Sequence, residues 1–465
     1  MAVTVDSAAT VVVTAAPTPG EIPGTPEPSS VAAAEALWRV TLCDRLGNPL
    51  ADISTVGFDL QLRRGLNQPA MASVKVPSWH GYVSTIHSDG SPYCEVGVRQ
   101  MRVYRRDSGG DSWRIVFNGI VWHLEDEGDE DETWTQVTAY DPMIWWRFRP
   151  VRAYDYNRCS KRLTYNGNFV TMKFAKPKQG ISATQILRMV LDFSSTGDPE
   201  ENLGEGSLGI SLWGGTVSEG GPNTNPDISD TPYTIADLHR LLVQTSKIDA
   251  WIDPVDNVGD DVMGNLMAVP RAGADKPWLH LQYGTGNYSV QSLRRERDMD
   301  QISNKIYYYL GPKLDEEHWQ ASITKQAMPD GEGGSQPLPD EPPGFRAAVE
   351  SRVNNSRAKY GVFMDVRIYD ANKNEHEYRD AYAHLWQTES YLRAEPREML
   401  YVTPTRNGPY DIFDLDMGDT IRVSAFDGVR RGFTAATQRI YGYTVNVDED
   451  MVEAFVEFET SPNWE

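Results

Sequence analysis

The side chains that could do chemistry are scattered rather than gathered. Eight histidines are spread along the chain, and the most functional-looking pair, His376 and His384, stands eight residues apart. A zinc helix of the HExxH type needs its histidines one turn apart, so this spacing holds no metal. Asp370-Ala371-Asn372-Lys373-Asn374 begins like a calcium loop, but its sixth position is Glu375 instead of glycine and its twelfth is Ala381 instead of glutamate. It reads as a polar turn. Gly284-Thr285-Gly286-Asn287 is a lone glycine-rich turn without the context of a phosphate-binding or dinucleotide loop. Acidic pairs are too numerous to single out a glycosidase dyad, and no Ser, Cys or Lys sits in a nucleophile motif. Cys43, Cys94 and Cys159 are odd in number and far apart. They form neither a zinc set nor a disulfide framework and read as buried free thiols. These observations assign no catalytic residue, no metal ligand and no cofactor, and the chain is expected not to be an enzyme.

The most specific cluster is apolar. In residues 113–150, WRIVFNGIVWHLEDEGDEDETWTQVTAYDPMIWWRFRP, a strand runs into a block where seven of the eight residues 125–132 are acidic. That block reads as a solvated hairpin tip, with a cation site or a contact for a basic partner as the sharper alternative. After the next strand, Asp141 is suited to cap a short helix and Pro142 to its first position. Arg149-Pro150 ends it. Met143, Ile144, Trp145, Trp146 and Phe148 surround so short an element that it must be covered from more than one side. Tyr140, Trp145, Trp146, Arg147 and Phe148 are therefore the candidate interaction residues. The cover is either the next domain of the same chain or another subunit.

Several elements must position that cluster. Residues 1–36 are runs of Ala, Val, Thr, Pro, Ser and Glu and read as an extended arm. In VGVRQMRVYRR, Met101 and Val103 face one side of a strand and Arg102 and Tyr104 the other. Asn118-Gly119 marks either a turn or a bulge within a longer strand. Ser182 with Gln185, and Thr234 with Asp237, open two helices, separated by a long polar loop over 196–232. Strands are expected at 250–252, 266–269, 278–283 and in IYYYL of 306–310. A linker covers 326–344, a helix is expected over 378–392, and 398–460 is β, with Val452, Ala454, Val456 and Phe458 alternating with Glu453, Phe455, Glu457 and Glu459.

Composition limits the partners. At 465 residues the chain is long enough for two to four domains. A net charge of −22 argues against general nucleic-acid binding and against docking on anionic lipid. No apolar run is long enough to span a bilayer, and the N-terminus lacks the pattern of a secretory signal. The chain is expected to be made in a cytoplasm and to be soluble there. Thirteen Trp and 22 Tyr fit either large β-domains or aromatic interfaces.

Two regions share one plan. Gly97…Met101-Arg102-Val103 parallels Gly418…Ile421-Arg422-Val423, and each is followed by a turn, an aromatic-bearing strand, an acidic turn and a last strand ending near Pro142 or Pro462. This suggests one fold used twice. The expected class is mainly β with α+β insertions: two similar antiparallel β-barrel domains, a central α/β domain and a helical insertion. The expected boundaries are an arm at 1–36, a first barrel at 37–155, an α+β domain at 156–290 and a second barrel at 291–465 with an insertion at 326–397.

The order of four segments then resembles a known family. VFNGIVWHLEDE…VTAYDPMIWWRFRPV, TIADLHRLLVQTSKIDAWIDP, YGTGNYSVQSLRRERDMDQISNKIYYYLG and FDLDMGDTIRV…IYGYTVNVDED span about 90–460. Together they resemble the minor tail proteins of siphophages infecting actinobacteria, the type that forms the baseplate hub at the tail tip. The resemblance implies a homotrimeric ring with two barrel domains per subunit. Such a ring adapts sixfold tail rings to a threefold tip and surrounds the DNA exit path. It implies a place in the virion tail tip, beside the distal tail protein and the tape measure protein, with DNA passing through the lumen and no specific nucleic-acid binding. The arm 1–36 and the loops 196–232 and 326–344 depart from the family pattern. A tail-tip cell-wall hydrolase and a glycan-binding adhesin are the rival readings.

Overall fold

The computed structural model describes residues 37–106, 112–128, 133–149, 151, 181–196, 208–212, 214–218, 223–224, 234–246, 248–284, 289–299, 302–311, 345–370, 394, 396–405, 415–425 and 433–462. The arm 1–36, the loop 326–344, the helix expected over 378–392 and most of 196–232 lie outside them.

The first region holds β1 (Leu37–Cys43), β2 (Pro49–Asp52), β3 (Phe58–Gly65), β4 (Met71–Pro77), β5 (Gln100–Arg106), β6 (Arg114–Gly128) and β7 (Thr133–Tyr140). Their spatial order is β3-β4-β7-β6-β5-β1-β2. Asn118 and Gly119 lie within β6, not at a turn. A Cβ at Gly119 would strike the Tyr140 carbonyl, so the close approach of β7 requires glycine there.

The middle of the chain holds β8 (Ile181–Ser182), a helix at Ala183–Thr196, β9 (Ile210–Ser211), β10 (Asn223–Thr224), a helix at Ile235–Ser246, β11 (Asp249–Pro254) and β12 (Gly264–Val269). Both helices start at reciprocal capping boxes. The Ser182 amide donates to Gln185 Oε1 at 3.3 Å and the Gln185 amide returns to Ser182 Oγ at 3.4 Å. Thr234 and Asp237 do the same at 3.1 and 3.2 Å. The expected long loop contributes β9, parallel to β12, and β10, antiparallel to β8.

The last region holds β13 (Asp275–Tyr283), β14 (Val290–Asp298), β15 (Lys305–Gly311), a helix at Phe345–Tyr360, β16 (Met364–Asp370), β17 (Arg397–Pro404), β18 (Thr420–Ala425), β19 (Phe433–Val447) and β20 (Glu453–Pro462). β15 and β16 form a separate parallel pair. The other strands run in the order β14-β17-β20-β19-β18-β13. This is the order β3-β4-β7-β6-β5-β1 of the first region, strand for strand. One difference is direction: β1 is antiparallel to β5, whereas β13 is parallel to β18.

The two arrays match in register as well as order. Leu62, Ala72, Ala139 and Val121 form one row across β3, β4, β7 and β6. Arg295, Leu400, Thr460 and Ile440 form the same row across β14, β17, β20 and β19. A bulge follows the row in each case, at Val121/His123 and at Ile440/Gly442. Gly97 and Gly418 both have positive φ, and their amides donate to the carbonyls of Val121 and Ile440 at 2.8 and 2.7 Å. Met101-Arg102-Val103 and Ile421-Arg422-Val423 sit at equivalent pairs in β5–β6 and β18–β19.

The arrays are not separate sheets. Residues 442–447 of β19 pair with residues 60–65 of β3, which joins both arrays in one 13-stranded sheet. The β19–β20 turn then reaches β1, where the Trp38 amide donates to the Met451 carbonyl at 2.9 Å. The C-terminal hairpin thus bridges β3, at one end of the first array, and β1, near the other. A single apolar core runs through both, from Val40, Leu62 and Val121 to Leu281, Val402 and Ile440.

Candidate functional site

The aromatic corner follows β7. Residues Pro142–Arg147 form a 3-10 turn capped by Asp141, whose carboxylate accepts from the Met143 amide at 3.0 Å and from the Ala70 amide at 2.9 Å. One side chain therefore ties the turn to β4. Burial pushes the Asp141 carboxyl up to about 7, against the pull of those two donors and of Arg64.

The five candidate residues divide. Trp146 is 1% exposed and packs edge-on to His239 at 5.1 Å, within the core formed by both middle helices, β11 and β12. It is a plug between the first array and the middle region. Trp145 is half-buried and meets Trp122 edge-on at 5.2 Å, and Phe148, 62% exposed, lies 5.6 Å from the same indole. Arg147 is exposed, and Tyr140 packs partly buried beside Ile120, Ile144 and Met263. Trp122, Trp145 and Phe148 thus form a surface patch beside the acidic half of β6.

Sequence reasoning missed the polar residues that lock the middle region onto the arrays. Arg102 is fully buried, and its guanidinium meets Asp256 at 2.6 Å and the Asn257 carbonyl. Tyr104 donates to Asp256 at 2.9 Å. Asp249 is held by Arg439 of β19 at 2.5 Å and by the Ala272 amide at 2.6 Å. Asn67 exchanges backbone and side-chain bonds with Ala250 at 2.8 Å. Arginines on a strand face opposite the apolar one signal such a second buried layer, because a buried guanidinium needs a partner.

The joint between the arrays is the other notable geometry. Leu62 faces Val445 and both are wholly buried, while Gln61 donates to Asn446 Oδ1 at 3.1 Å across the same pair of strands. Arg105, 1% exposed, reaches Glu453 at 2.9 Å on the far side of the hairpin.

No group of His, Cys, Asp and Glu able to hold a metal occurs among the described residues. His376, His384 and the turn beyond Asp370 lie outside them, as do Cys159, residues 129–132 and Gly286. Cys43 and Cys94 are buried free thiols. Among the described residues no helix is long and apolar enough to cross a membrane.

No protein-family model matches the chain, and no curated protein does. Among solved structures, it is similar to the 43 kDa tail protein of prophage MuSo2 from Shewanella oneidensis, at 12% identity over 92% of this chain and 98% of that one, with a TM-score of 0.49. It is similar to a tail protein from Neisseria meningitidis MC58, at 10% identity over 92% and 97% of the two chains, with a TM-score of 0.47. It is also similar to prophage tail protein gp18 from Listeria monocytogenes EGD-e, at 12% identity over 91% and 94%, with a TM-score of 0.46.

Proposed function

We propose that this chain is a non-enzymatic structural protein of a phage tail, three copies of which form a ring at the tail tip around the DNA exit path. The observation that carries this reading is the doubled array. Two six-stranded units of the same order and register stand side by side in one chain. Three such chains present six equivalent units, which is what a threefold piece needs to seat on a sixfold ring. The order of sequence segments that resembles hub-type minor tail proteins points the same way. Distal tail and tape measure proteins are the proposed neighbours. The net charge of −22 suits a lumen that DNA must pass without sticking. Trp122, Trp145 and Phe148 are the proposed contact patch toward a neighbouring tail protein, because a partly exposed aromatic cluster where a capped turn meets a strand is a ready docking point.

The test is location. Antibodies against the chain, applied to intact particles in electron microscopy, should label the distal end of the tail. Labelling of the head or of the whole tail shaft, or absence of the chain from purified particles, contradicts the proposal.

A further inference from the structure

The contact that joins the arrays inside one chain has a counterpart whose two halves are both present and, among the described residues, do not pair with each other. In the first array, the outer strand β3 pairs with β4 on one side and with β19 on the other. Its equivalent, β14, pairs with β17, and among the described residues it stands at the end of the sheet. The equivalent of residues 442–447 of β19 is the stretch 123–128 of β6. Among the described residues that stretch pairs with β7 alone. Among the described residues, each chain therefore has an outer strand with no partner strand on one side, and carries elsewhere the strand that would be that partner.

We propose that a second copy of this chain completes the contact: β14 of one copy pairs antiparallel with residues 123–128 of β6 in the next. This rests on the ring assembly proposed above and specifies its joint. The register follows from the repeat. Gln61, which faces Asn446, corresponds to Arg294, and Asn446 corresponds to Glu127. Leu62 and Val445 correspond to Arg295 and Asp126. Arg294 therefore meets Glu127 and Arg295 meets Asp126, with Glu296 opposite Glu125 between Arg295 and Arg297. Charges on an edge strand ordinarily keep it from pairing. Here the matching strand carries the opposite charge at two adjacent positions, which admits this partner and rejects a second basic edge. The contact is head-to-tail, so repetition builds a closed ring when the rotation between arrays divides the circle.

The charged pairs also distinguish the two joints. The joint inside the chain is apolar at Leu62 and Val445, both wholly buried. The joint between chains has ions at those positions. Arg294 and Arg295 now lie near Glu457 and Glu398, at 3.9 and 2.7 Å, and Asp126 accepts from Thr135 at 2.7 Å. These groups would share or exchange partners on assembly, giving an interface that weakens with salt.

The test uses full-length chains with Cys159→Ser, carrying either Arg294→Cys or Glu127→Cys. The remaining cysteines Cys43 and Cys94 are buried. Directly opposed residues of paired strands bring Cα atoms to roughly 4.5–5.5 Å, within disulfide reach. Mixed and mildly oxidised, the two variants should give a covalent dimer on a non-reducing gel, and neither alone should. A second arm reverses Arg294 and Arg295 to Glu, which should weaken self-association at least about tenfold. Adding Asp126→Arg and Glu127→Arg in the same chain should restore it. A ring that assembles without the cross-link, or that ignores the charge reversal, overturns this joint and leaves the ring standing. A wild-type chain that stays monomeric at high concentration overturns both.

Discussion

β3 and β14 hold the same place in two arrays of the same order, yet they carry different chemistry. The row through β3 ends in Leu62, wholly buried against Val445. The row through β14 ends in Arg295, held by Glu398. A strand that always has its partner in the same chain can commit to apolar burial. A strand that must find its partner in another molecule does better to stay soluble until it does. The ends of the arrays differ in the same sense. Where β7 runs into Asp141 and the Trp146 plug, β20 reaches Pro462 at the equivalent position; among the described residues this corner anchors the first array to the middle region.

The largest effect should come from the link between β19 and the middle region. Asp249→Ala leaves the Arg439 guanidinium buried without its carboxylate and should cost about 3–5 kcal/mol in denaturant unfolding. A change within the range of surface substitutions would mean that Arg439 relaxes to solvent.

The next effect compares equivalent leucines. Leu60 is wholly buried, whereas Leu293, its counterpart in β14, is partly buried. In the isolated chain Leu60→Ala should cost about 3 kcal/mol and Leu293→Ala about 1 kcal/mol. Equal losses would show that the two edges are equally covered.

A third effect depends on pH. The Asp141 carboxyl is held at about 7 by burial, above an unfolded value near 3.9. The stability tied to its proton is complete below that unfolded value and is lost as pH rises through about 7. Wild type should therefore lose stability relative to Asp141→Asn between about pH 4 and pH 7. Parallel curves would mean that the two amide donors keep the carboxylate ionised throughout.

The smallest effect is at the corner's rim. Phe148→Ala removes a ring that is 62% exposed and should leave stability within about 0.5 kcal/mol of wild type. If the patch is a docking point, the same substitution reduces incorporation into particles. Unchanged incorporation argues against that role.

Much of this was legible in the residues. The Ser182–Gln185 and Thr234–Asp237 boxes announce both middle helices, and Asp141-Pro142 announces the capped turn, because caps are local hydrogen-bonding problems with local solutions. The alternation in 452–459 and the paired Gly97 and Gly418 plans carry the repeat. The helix Phe345–Tyr360 escaped notice because FRAAVESRVNNSRAKY spreads charge around its whole circumference and shows no apolar stripe. The joint between β3 and β19 escaped because residues nearly 400 positions apart decide it together. Trp145 and Trp146, adjacent in sequence, could not be told apart until the turn sent one ring into the middle core and left the other beside Trp122.

The most direct measurement of the central claim is the rotational symmetry of the purified assembly, read from end-on class averages in electron microscopy. The account predicts a ring of three chains, threefold by symmetry and with a strong sixfold component from the two matched arrays in each chain. A ring with threefold density and no sixfold component, or a chain that forms no ring, would contradict it.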